Sequence, residues 1–273
     1  MNVEARVRLQ GKTALVVGAG GKDNMGQVIG RRLCDEGARV MAVGRDELEL
    51  RRFADEIGGG WAVADIAKRS DSFALAETVQ KLFRTVDIVV NAAGTNLLVP
   101  FEETAEADLR RVTDVQFIGP FMLFQALLPV MGEGGSLIQI SSATATIMLN
   151  DHAAYMGTKA GLDHVVRCIA NEYGHRGIRA NSISPGITET PMTAGAKAIP
   201  GLWDAYEASY PLGRTGTAAD IAAAVVWLAS DECFMTGENL QVNGGLVLRG
   251  NPSRETVDQF VISRTGKPRP RAH

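Results

Sequence analysis

Short apolar runs alternate with longer amphipathic stretches along most of the chain. The apolar runs fall at residues 13–17, 39–43, 61–63, 86–90, 136–140, 178–183 and 239–242, and each is typical of a buried strand. Between them, apolar residues recur at helical spacing at 27–36, 46–57, 70–84, 105–128, 153–173 and 218–230, which predicts helices. This alternation predicts an α/β fold with a parallel sheet, right-handed crossovers and helices on both faces.

One domain accounts for most of the chain. No linker rich in Pro, Gly or Ser and no internal repeat divides residues 1–249, and 45% of the 273 residues are hydrophobic, enough for a single large core. Residues 250–273 form a C-terminal extension with a short predicted helix at 255–262 and a basic, proline-rich end. We expect this extension to be flexible or to pack on a neighbouring subunit.

The charge balance and the cysteines exclude several classes of protein. A net charge of −3 gives no general attraction to nucleic acid or to an anionic membrane, so neither is an expected partner. The three cysteines, Cys34, Cys168 and Cys233, lack metal-ligand spacing, so we expect small buried thiols and no metal site. The start of the chain has no apolar signal core, which indicates a cytoplasmic location.

A glycine-rich turn follows the first predicted strand and opens the next helix. It runs from Gly18 to Gly26 as GAGGKDNMG. Such a turn directs backbone N–H groups and a helix N-terminus at one point, which suits the pyrophosphate of a dinucleotide. The candidate cofactor contacts in this turn are Gly18, Gly20, Lys22, Asn24, Met25 and Gly26.

The end of the second predicted strand indicates which cofactor binds. An acidic residue there would bond the adenosine ribose hydroxyls, but the strand ends Val43-Gly44-Arg45. Arg45 can bind a 2′-phosphate through two N–H groups, with Lys22 as a second cation, so NADP(H) is favoured over NAD(H). The alternative is that Arg45 is only a solvated residue before the next helix. Further candidate contacts on the adenosine side are Asp65, Ile66, Asn91, Ala92 and Gly94.

Ser142, Tyr155 and Lys159 are the candidate catalytic residues. Tyr155 and Lys159 lie one turn apart on the predicted helix, so the ammonium can approach the phenol oxygen. A cation at ~4 Å in an effective dielectric of ~20 would lower the phenol pKa from about 10 to about 7, where it exchanges protons readily. Ser142, after the strand 136–140, supplies a hydroxyl to hold a substrate oxygen beside the phenol.

With these residues in order, the chain resembles the short-chain dehydrogenase/reductase family from about Gly11 to Leu248. The shared motifs are the glycine loop, Asp65, Asn91-Ala-Ala-Gly94, Ser142, Tyr155 with Lys159, Asn181, Pro185-Gly186, Thr190-Pro-Met192, and Thr236-Gly237 with Asn243-Gly-Gly245. The resemblance implies a single-domain Rossmann fold with a seven-stranded parallel sheet, a nicotinamide cofactor, and hydride transfer between that cofactor and a carbinol or carbonyl carbon.

The resemblance also implies roles for individual residues. Tyr155 would exchange the proton, Ser142 would hold the substrate oxygen, and Lys159 would lower the tyrosine pKa while binding the nicotinamide ribose. The residues implied along the nicotinamide and its carboxamide or pyrophosphate are Pro185, Gly186, Thr188, Thr190 and Met192.

Two positions depart from the family pattern. Asn24 stands where the glycine loop usually has its middle glycine, and because asparagine tolerates a left-handed backbone, this predicts a slightly enlarged phosphate loop. Gln116 stands where the family usually has an asparagine that holds a water of the proton relay to the lysine. Its amide reaches one methylene further, which would shift that water. The alternative is a structural glutamine that satisfies a helix kink.

The segment 190–210 covers the substrate in this family. Its apolar and aromatic side chains suit a bulky, weakly polar ketone or secondary alcohol, although some of them are expected to pack on the core instead. The candidate substrate contacts are Ser142, Met148, Tyr155, Trp203 and Tyr206. His152 is either a further substrate contact or, as we favour, a surface cap of the helix 153–173.

Together these features predict an oxidoreductase that transfers a hydride between NADP(H) and a carbonyl or secondary alcohol of an alicyclic, steroid-like or aromatic substrate. An NAD-linked alcohol dehydrogenase of the same family is one alternative, and a non-catalytic dinucleotide-binding sensor or scaffold is another. An enoyl reductase of related fold is disfavoured, because those enzymes space the tyrosine and lysine more widely. Family members pair the helices at 105–128 and 153–173 across two-fold axes, which implies a homodimer or homotetramer.

Overall fold

Strands and helices alternate along residues 7–267, the part of the chain that the computed structural model describes. The first half contains β1 (Thr13–Val17), α1 (Met25–Asp35), β2 (Arg39–Gly44), α2 (Glu47–Ile57), β3 (Gly60–Val63), α3 (Arg69–Phe83), β4 (Val86–Asn91), α4 (Glu106–Thr113) and α5 (Gly119–Leu127). The second half contains β5 (Met131–Ile140), α6 (Ala153–Tyr173), β6 (Arg179–Pro185), β7 (Thr188–Glu189), α7 (Ala194–Lys197), α8 (Leu202–Ser209), β8 (Gly216–Thr217), α9 (Ala218–Ala229), β9 (Asn239–Val242), α10 (Leu246–Arg249) and α11 (Arg254–Thr265).

Seven of these strands form one parallel sheet in the order β3-β2-β1-β4-β5-β6-β9. The chain runs outward from β1 to β3 and then returns to β4 on the other side of β1. The strand order therefore reverses between β1 and β4, and such a switch point opens a crevice at the carboxyl ends of the strands. A separate pair, β7 and β8, lies near the C-terminal end of β6. The predicted Rossmann fold with a seven-stranded parallel sheet is confirmed.

Helices cover both faces of the sheet, and this explains why a central strand such as β1 is almost continuously apolar. Leu15 and Val17 of β1 pack in a cluster with residues of α3, α5 and α6. Their neighbours Ala14 and Val16 point the other way and pack with residues of α1, α2 and α9. Since both sides of β1 are buried, no polar residue interrupts the run.

The long helix predicted at 105–128 is interrupted. Residues Asp114–Ile118 form a π-helical turn between α4 and α5, and the Gly119 N–H donates to the Asp114 carbonyl. Pro120 explains this wider turn, because it has no N–H to bond the carbonyl four residues back. By length and composition alone Glu106–Val130 could cross a membrane, and half of its most apolar window is buried inside the protein.

The C-terminal extension packs on its own chain. Val257 and Val261 of α11 form a buried cluster with Leu202 and Ala205 of α8. One apolar side of α11 is therefore covered within the chain. Flexibility of the extension, or its packing on a neighbouring subunit, stays a prediction. The helix is also longer than predicted, since Ser253 caps it by accepting from the Thr256 N–H at 3.1 Å. Residues 268–273, most of the basic, proline-rich end, lie outside the described residues.

Gly119, at the start of α5, lies at a contact that only glycine allows. A Cβ there would be 2.7 Å from the carbonyl oxygens of Asp114 and Ile66. We expect Gly119→Ala to lower the free energy of unfolding by about 1–3 kcal/mol, because the backbone must shift to admit the methyl group. Urea unfolding measures the change.

The matched control is Gly157→Ala in α6, where an added Cβ meets nothing within 4 Å. This variant should be neutral or more stable by ~0.5–1 kcal/mol, because alanine favours a helix over glycine. Equal stability of the two variants would contradict the tight packing of the π-helical turn.

Candidate active site

A cavity of about 810 Å³ opens at the carboxyl ends of the sheet strands, where open parallel sheets bind their ligands. Most of the residues predicted from the sequence line it: Gly18, Gly20, Asn24, Met25, Gly26, Arg45, Asp65, Ile66, Ala92, Gly94, Gln116, Ser142, Tyr155, Lys159, Pro185, Gly186, Thr188, Thr190, Met192 and Tyr206. Four predicted residues do not line it: Lys22, Asn91, Met148 and Trp203. The structure therefore brings together residues that are far apart along the chain.

Close backbone contacts fix the glycine loop. Gly18 has a φ of +95°, and a Cβ there would be 2.5 Å from the Ala93 nitrogen in the loop after β4. A Cβ on Gly26 would be 2.5 Å from the Gly18 carbonyl oxygen. With no side chain in between, the N-terminus of α1 faces the cavity with N–H groups that have no partner within the helix. This cradle fits the pyrophosphate of a dinucleotide.

Asn24 closes the loop through its side chain. Its backbone is extended, with φ −73° and ψ 172°, and its Oδ1 accepts from the Gln27 N–H at 3.0 Å as the N-cap of α1. Its Nδ2 donates to the Gly18 carbonyl at 2.8 Å. The expected left-handed conformation is therefore wrong for Asn24. It occurs at the neighbouring Asp23, with φ 53°, because the cap requires Asn24 to be extended.

The end of β2 has no room for an acidic side chain. A Cβ on Gly44 would be 2.7 Å from the Gly20 nitrogen. The carboxylate of Asp46 accepts from the Glu49 N–H at 3.0 Å and caps α2. Arg45 lines the cavity, and within residues 7–267 its guanidinium has no hydrogen-bond or ion-pair partner. The cationic group is thus available at the cavity edge.

Asn91 supports the cavity wall from behind instead of lining it. It is fully buried, and its Nδ2 donates to Gln139 Oε1 at 2.8 Å. Its Oδ1 accepts from the Ala93 N–H at 3.2 Å, which fixes the loop that carries Ala92 and Gly94. The predicted cofactor contact at Asn91 is corrected for this reason.

Tyr155, Lys159 and Ser142 meet at one end of the cavity. The Lys159 Nζ lies 5.6 Å from the centre of the Tyr155 ring and donates to the Ile140 carbonyl at 2.9 Å. Ser142 follows β5, and its hydroxyl lies 2.8 Å from that of Thr144, which the sequence did not indicate. One hydroxyl, one phenol and one ammonium therefore face the same space, which suits proton transfer to and from a carbonyl oxygen.

Burial dominates the titration of both α6 residues. Burial raises the pKa of Tyr155 above its ordinary value, while a hydrogen bond with Ser142 acts to lower that pKa. It lowers the pKa of Lys159 to about 8, while the charge of Asp163 opposes it. The predicted phenol pKa of about 7 is therefore wrong, because desolvation of the buried phenolate outweighs the hydrogen bond with Ser142. At neutral pH Tyr155 is a protonated donor beside a charged Lys159.

Asp163, one turn beyond Lys159 on α6, was missed in the sequence analysis. Its Oδ2 accepts from Ser141 Oγ at 2.8 Å and from Asn239 Nδ2 at 2.6 Å. Burial raises the pKa of Asp163, and the nearby Lys159 is among the groups that oppose this. The spacing of four residues from Lys159 was the signal that could have revealed it.

Gln116 lies in the π-helical turn and lines the cavity near Lys159. Its Nε2 donates to Thr158 Oγ1 at 3.3 Å, and its buried Oε1 has no partner among the described residues. A Cβ added to Gly94 would be 3.3 Å from that oxygen and 3.8 Å from the Lys159 Nζ, so the two groups border one small space. An unpaired buried acceptor suits a donor from a ligand or a water. Gln116 thus belongs to the kink and also faces the cavity.

The substrate end of the cavity is lined differently from the prediction. Trp203 donates from Nε1 to Thr215 Oγ1 at 3.1 Å, and Met148 is 71% exposed, so neither lines the cavity. Tyr206, three residues after Trp203 on α8, does line it, as does Leu149. Lining side chains that were not predicted are Asn96, Leu98, Ile187, Thr193, Ala196, Leu246 and Asn251.

His152 is buried, which contradicts the favoured expectation of a surface cap. It is 8% exposed, and its ring stacks on that of Tyr155 with the centroids 4.3 Å apart. It makes no side-chain capping bond to α6. Burial lowers its pKa, with the backbone of Leu97 opposing, so the ring is neutral at pH 7. His152 lines the cavity and covers one face of the reacting phenol.

The thiols and the metal-binding residue types add no second site. Cys233 is buried, but Cys34 is partly exposed and Cys168 is exposed on α6, so the expectation of three buried thiols is corrected. Among residues 7–267 no group of three or more His, Cys, Asp or Glu side chains could hold a metal ion.

Comparison with known proteins identifies the family. Residues 18–247 match a family model described as Enoyl-(Acyl carrier protein) reductase. The chain is 35% identical over 259 residues to D-threitol dehydrogenase of Mycolicibacterium smegmatis. The aligned region covers 91% of this chain and 98% of that protein. This chain belongs to the short-chain dehydrogenase/reductase family. Enzymes of this family use NAD(P), and this member acts on the CH–OH/C=O pair.

Other members of the short-chain dehydrogenase/reductase family support the assignment. The 3beta-hydroxysteroid dehydrogenase 1 of Eggerthella lenta is 35% identical over 250 residues, covering 88% of this chain and 95% of that protein. A solved structure of a short-chain type dehydrogenase/reductase from Mycobacterium ulcerans superposes with a TM-score of 0.85 at 30% identity, covering 90% of this chain and 93% of that one. The fold and the reaction type thus agree across distant relatives.

The pKa of Lys159 predicts how carbonyl reduction depends on pH. Reduction needs a protonated Tyr155 and a charged Lys159, and the Lys159 pKa of about 8 is the lower of the two. We expect kcat/KM for ketone reduction to be constant from neutral pH to near 8 and then to fall about tenfold per pH unit. Steady-state rates over pH 6.5–10 measure the profile. A profile that stays flat to pH 10 would contradict the role of the charged lysine.

Proposed function

We propose that this short-chain dehydrogenase/reductase transfers a hydride between NADP(H) and the carbonyl or secondary alcohol carbon of a bulky, weakly polar substrate. One observation carries the proposal: a single cavity joins the glycine loop and Arg45 at one end to Tyr155 and an apolar lining at the other. The bound cofactor would supply the hydride donor or acceptor. The chain would supply proton transfer at the Tyr155 oxygen and would orient the substrate through Ser142.

Three features at the end of β2 support NADP(H) over NAD(H). The contact between Gly44 and Gly20 excludes a carboxylate from the position that would bond the ribose hydroxyls. Asp46 Oδ1 accepts from the Glu49 N–H, so part of its carboxylate is engaged in capping α2. The planar guanidinium of Arg45 can bind a phosphate through two parallel N–H groups. Lys22 does not line the cavity, so Arg45 alone supplies this support for a 2′-phosphate.

The lining of the substrate end supports a bulky, weakly polar substrate. Leu98, Leu149, Ile187, Tyr206 and Leu246 give it an apolar surface that is large enough for a ring system. The two relatives described above are named for an acyclic polyol and for a hydroxysteroid. The apolar surface favours an alicyclic, steroid-like or aromatic compound for this chain.

The alternatives differ from this proposal in testable features. An NAD-linked enzyme would not need Arg45, and a non-catalytic dinucleotide sensor would not need a serine, a tyrosine and a lysine at one end of the cavity. The presence of Ser142, Tyr155 and Lys159 in the cavity lining speaks for catalysis. The homo-oligomer and the cytoplasmic location stay predictions.

Titration of the enzyme with NADPH and NADH, followed by nicotinamide fluorescence, tests the cofactor. We expect tighter NADPH binding by the wild type and a loss of about tenfold to hundredfold in NADPH affinity for Arg45→Asp, as for the loss of a charge-assisted hydrogen bond. NADH affinity should stay unchanged or increase, since aspartate can accept from the ribose hydroxyls.

Arg51→Asp is the matched control, because Arg51 stacks on Trp61 and does not line the cavity. It makes the same charge change six residues further along the chain. The affinities for NADPH and for NADH should both stay as in the wild type. Equal binding of the two cofactors by the wild type, or equal effects of the two variants, would overturn the preference for NADP(H).

A further inference from the structure

The segment after α10 reaches the substrate end of the cavity. Asn251 lines the cavity, and its Nδ2 donates to the Met148 carbonyl at 3.0 Å. The match to the family model ends at residue 247, so this segment lies beyond the shared part of the fold. Whatever it contributes to the site must be explained from its own residues.

The start of this segment supports the loop in front of α6. Arg254 forms an ion pair with Asp151, whose φ of +63° is uncommon for a residue other than glycine. The Asp151 carbonyl also accepts from the Val99 N–H at 2.7 Å. The next residue is His152, which stacks on Tyr155. Through Arg254 the segment therefore stabilises the cavity wall beside the reacting phenol.

The helix α11 supports the opposite wall. Besides the apolar cluster with α8, Arg264 Nε donates to Asp204 Oδ2 at 2.9 Å. Gly201, at the N-terminus of α8, has a φ of +84°, and a Cβ there would collide with the Phe260 carbonyl oxygen. Only glycine lets α8 and α11 approach this closely. Since α8 carries Tyr206 into the cavity lining, the position of α11 fixes that side chain.

We propose that residues 251–265 complete the substrate site, with Asn251 as a specificity-determining residue and α11 as the element that holds α8 in place. The Asn251 Nδ2 is used by Met148, and within residues 7–267 no group donates to its Oδ1. That oxygen is an acceptor at the cavity edge. It selects substrates that carry a hydroxyl group away from the reacting carbon, as in a cyclic diol. This inference rests on the proposed function and deepens it.

Oxidation of cyclohexanol, cyclohexane-1,3-diol and cyclohexane-1,4-diol by the full-length enzyme with NADP⁺ tests the role of Asn251. We expect the wild type to have a higher kcat/KM for at least one diol than for cyclohexanol. Asn251→Leu, of similar size and without polar atoms, should lower kcat/KM for that diol about tenfold more than kcat/KM for cyclohexanol. Asn251→Asp keeps acceptor oxygens but loses the bond to the Met148 carbonyl, so a retained preference for the diol assigns the selection to the acceptor.

Equal loss with cyclohexanol and the diols in Asn251→Leu would overturn the role of Asn251, because it would indicate a structural defect only. If the wild type oxidises none of the three alcohols while binding the cofactor, both the proposed substrate class and the diol selection fail.

Hydrogen–deuterium exchange tests the role of α11 without catalysis. We expect the amides of α8 to exchange about tenfold faster in Gly201→Ala than in the wild type, because α11 is displaced. Gly213→Ala is the matched control, since Gly213 also has a positive φ of +70° but an added Cβ meets nothing within 4 Å. It should leave α8 exchange unchanged. Unchanged exchange in Gly201→Ala, or the same increase in both variants, would overturn the proposal for α11.

Discussion

The buried ammonium of Lys159 is the group on which the arrangement of the active site depends. It donates to the Ile140 carbonyl at the end of β5. One turn further along α6, Asp163 bonds to Ser141, the residue after that carbonyl, and to Asn239 of β9. A charge away from water is tolerated only with such partners. The helix is therefore held in one register against the strand ends, and this register brings Tyr155 beside Ser142.

Local patterns were sufficient to predict the sheet, most helices and most of the cavity lining, because a parallel strand buried on both faces is continuously apolar and glycine-rich turns recur where backbones approach. They were not sufficient for effects that depend on tertiary burial. The pKa of Tyr155 is raised because the whole surrounding structure desolvates the phenol. The spacing of residues along the sequence carries no information about that burial. Trp203 and Tyr206 are close neighbours on one helix, yet only the second faces the cavity.

Three features distinguish this chain from the family pattern that it otherwise follows. Asn24 closes the phosphate loop with a side-chain cap, and Gln116 places an unpaired amide oxygen near Lys159 from within a π-helical turn. The third is the segment 251–265, which connects the two walls of the substrate end. All three border the cavity or support its walls, while the sheet that positions them is the part shared with relatives.

We propose that one cavity positions a carbinol carbon for hydride exchange with a nicotinamide while Tyr155 exchanges the proton. The most direct test uses cyclohexanol deuterated at the carbinol carbon, with NADP⁺ and the full-length enzyme. Mass spectrometry of the reduced cofactor should find one deuterium on the nicotinamide ring, formed about 10²- to 10⁴-fold more slowly by Tyr155→Phe. Reduced cofactor without deuterium, or an unchanged rate in Tyr155→Phe, would contradict the account.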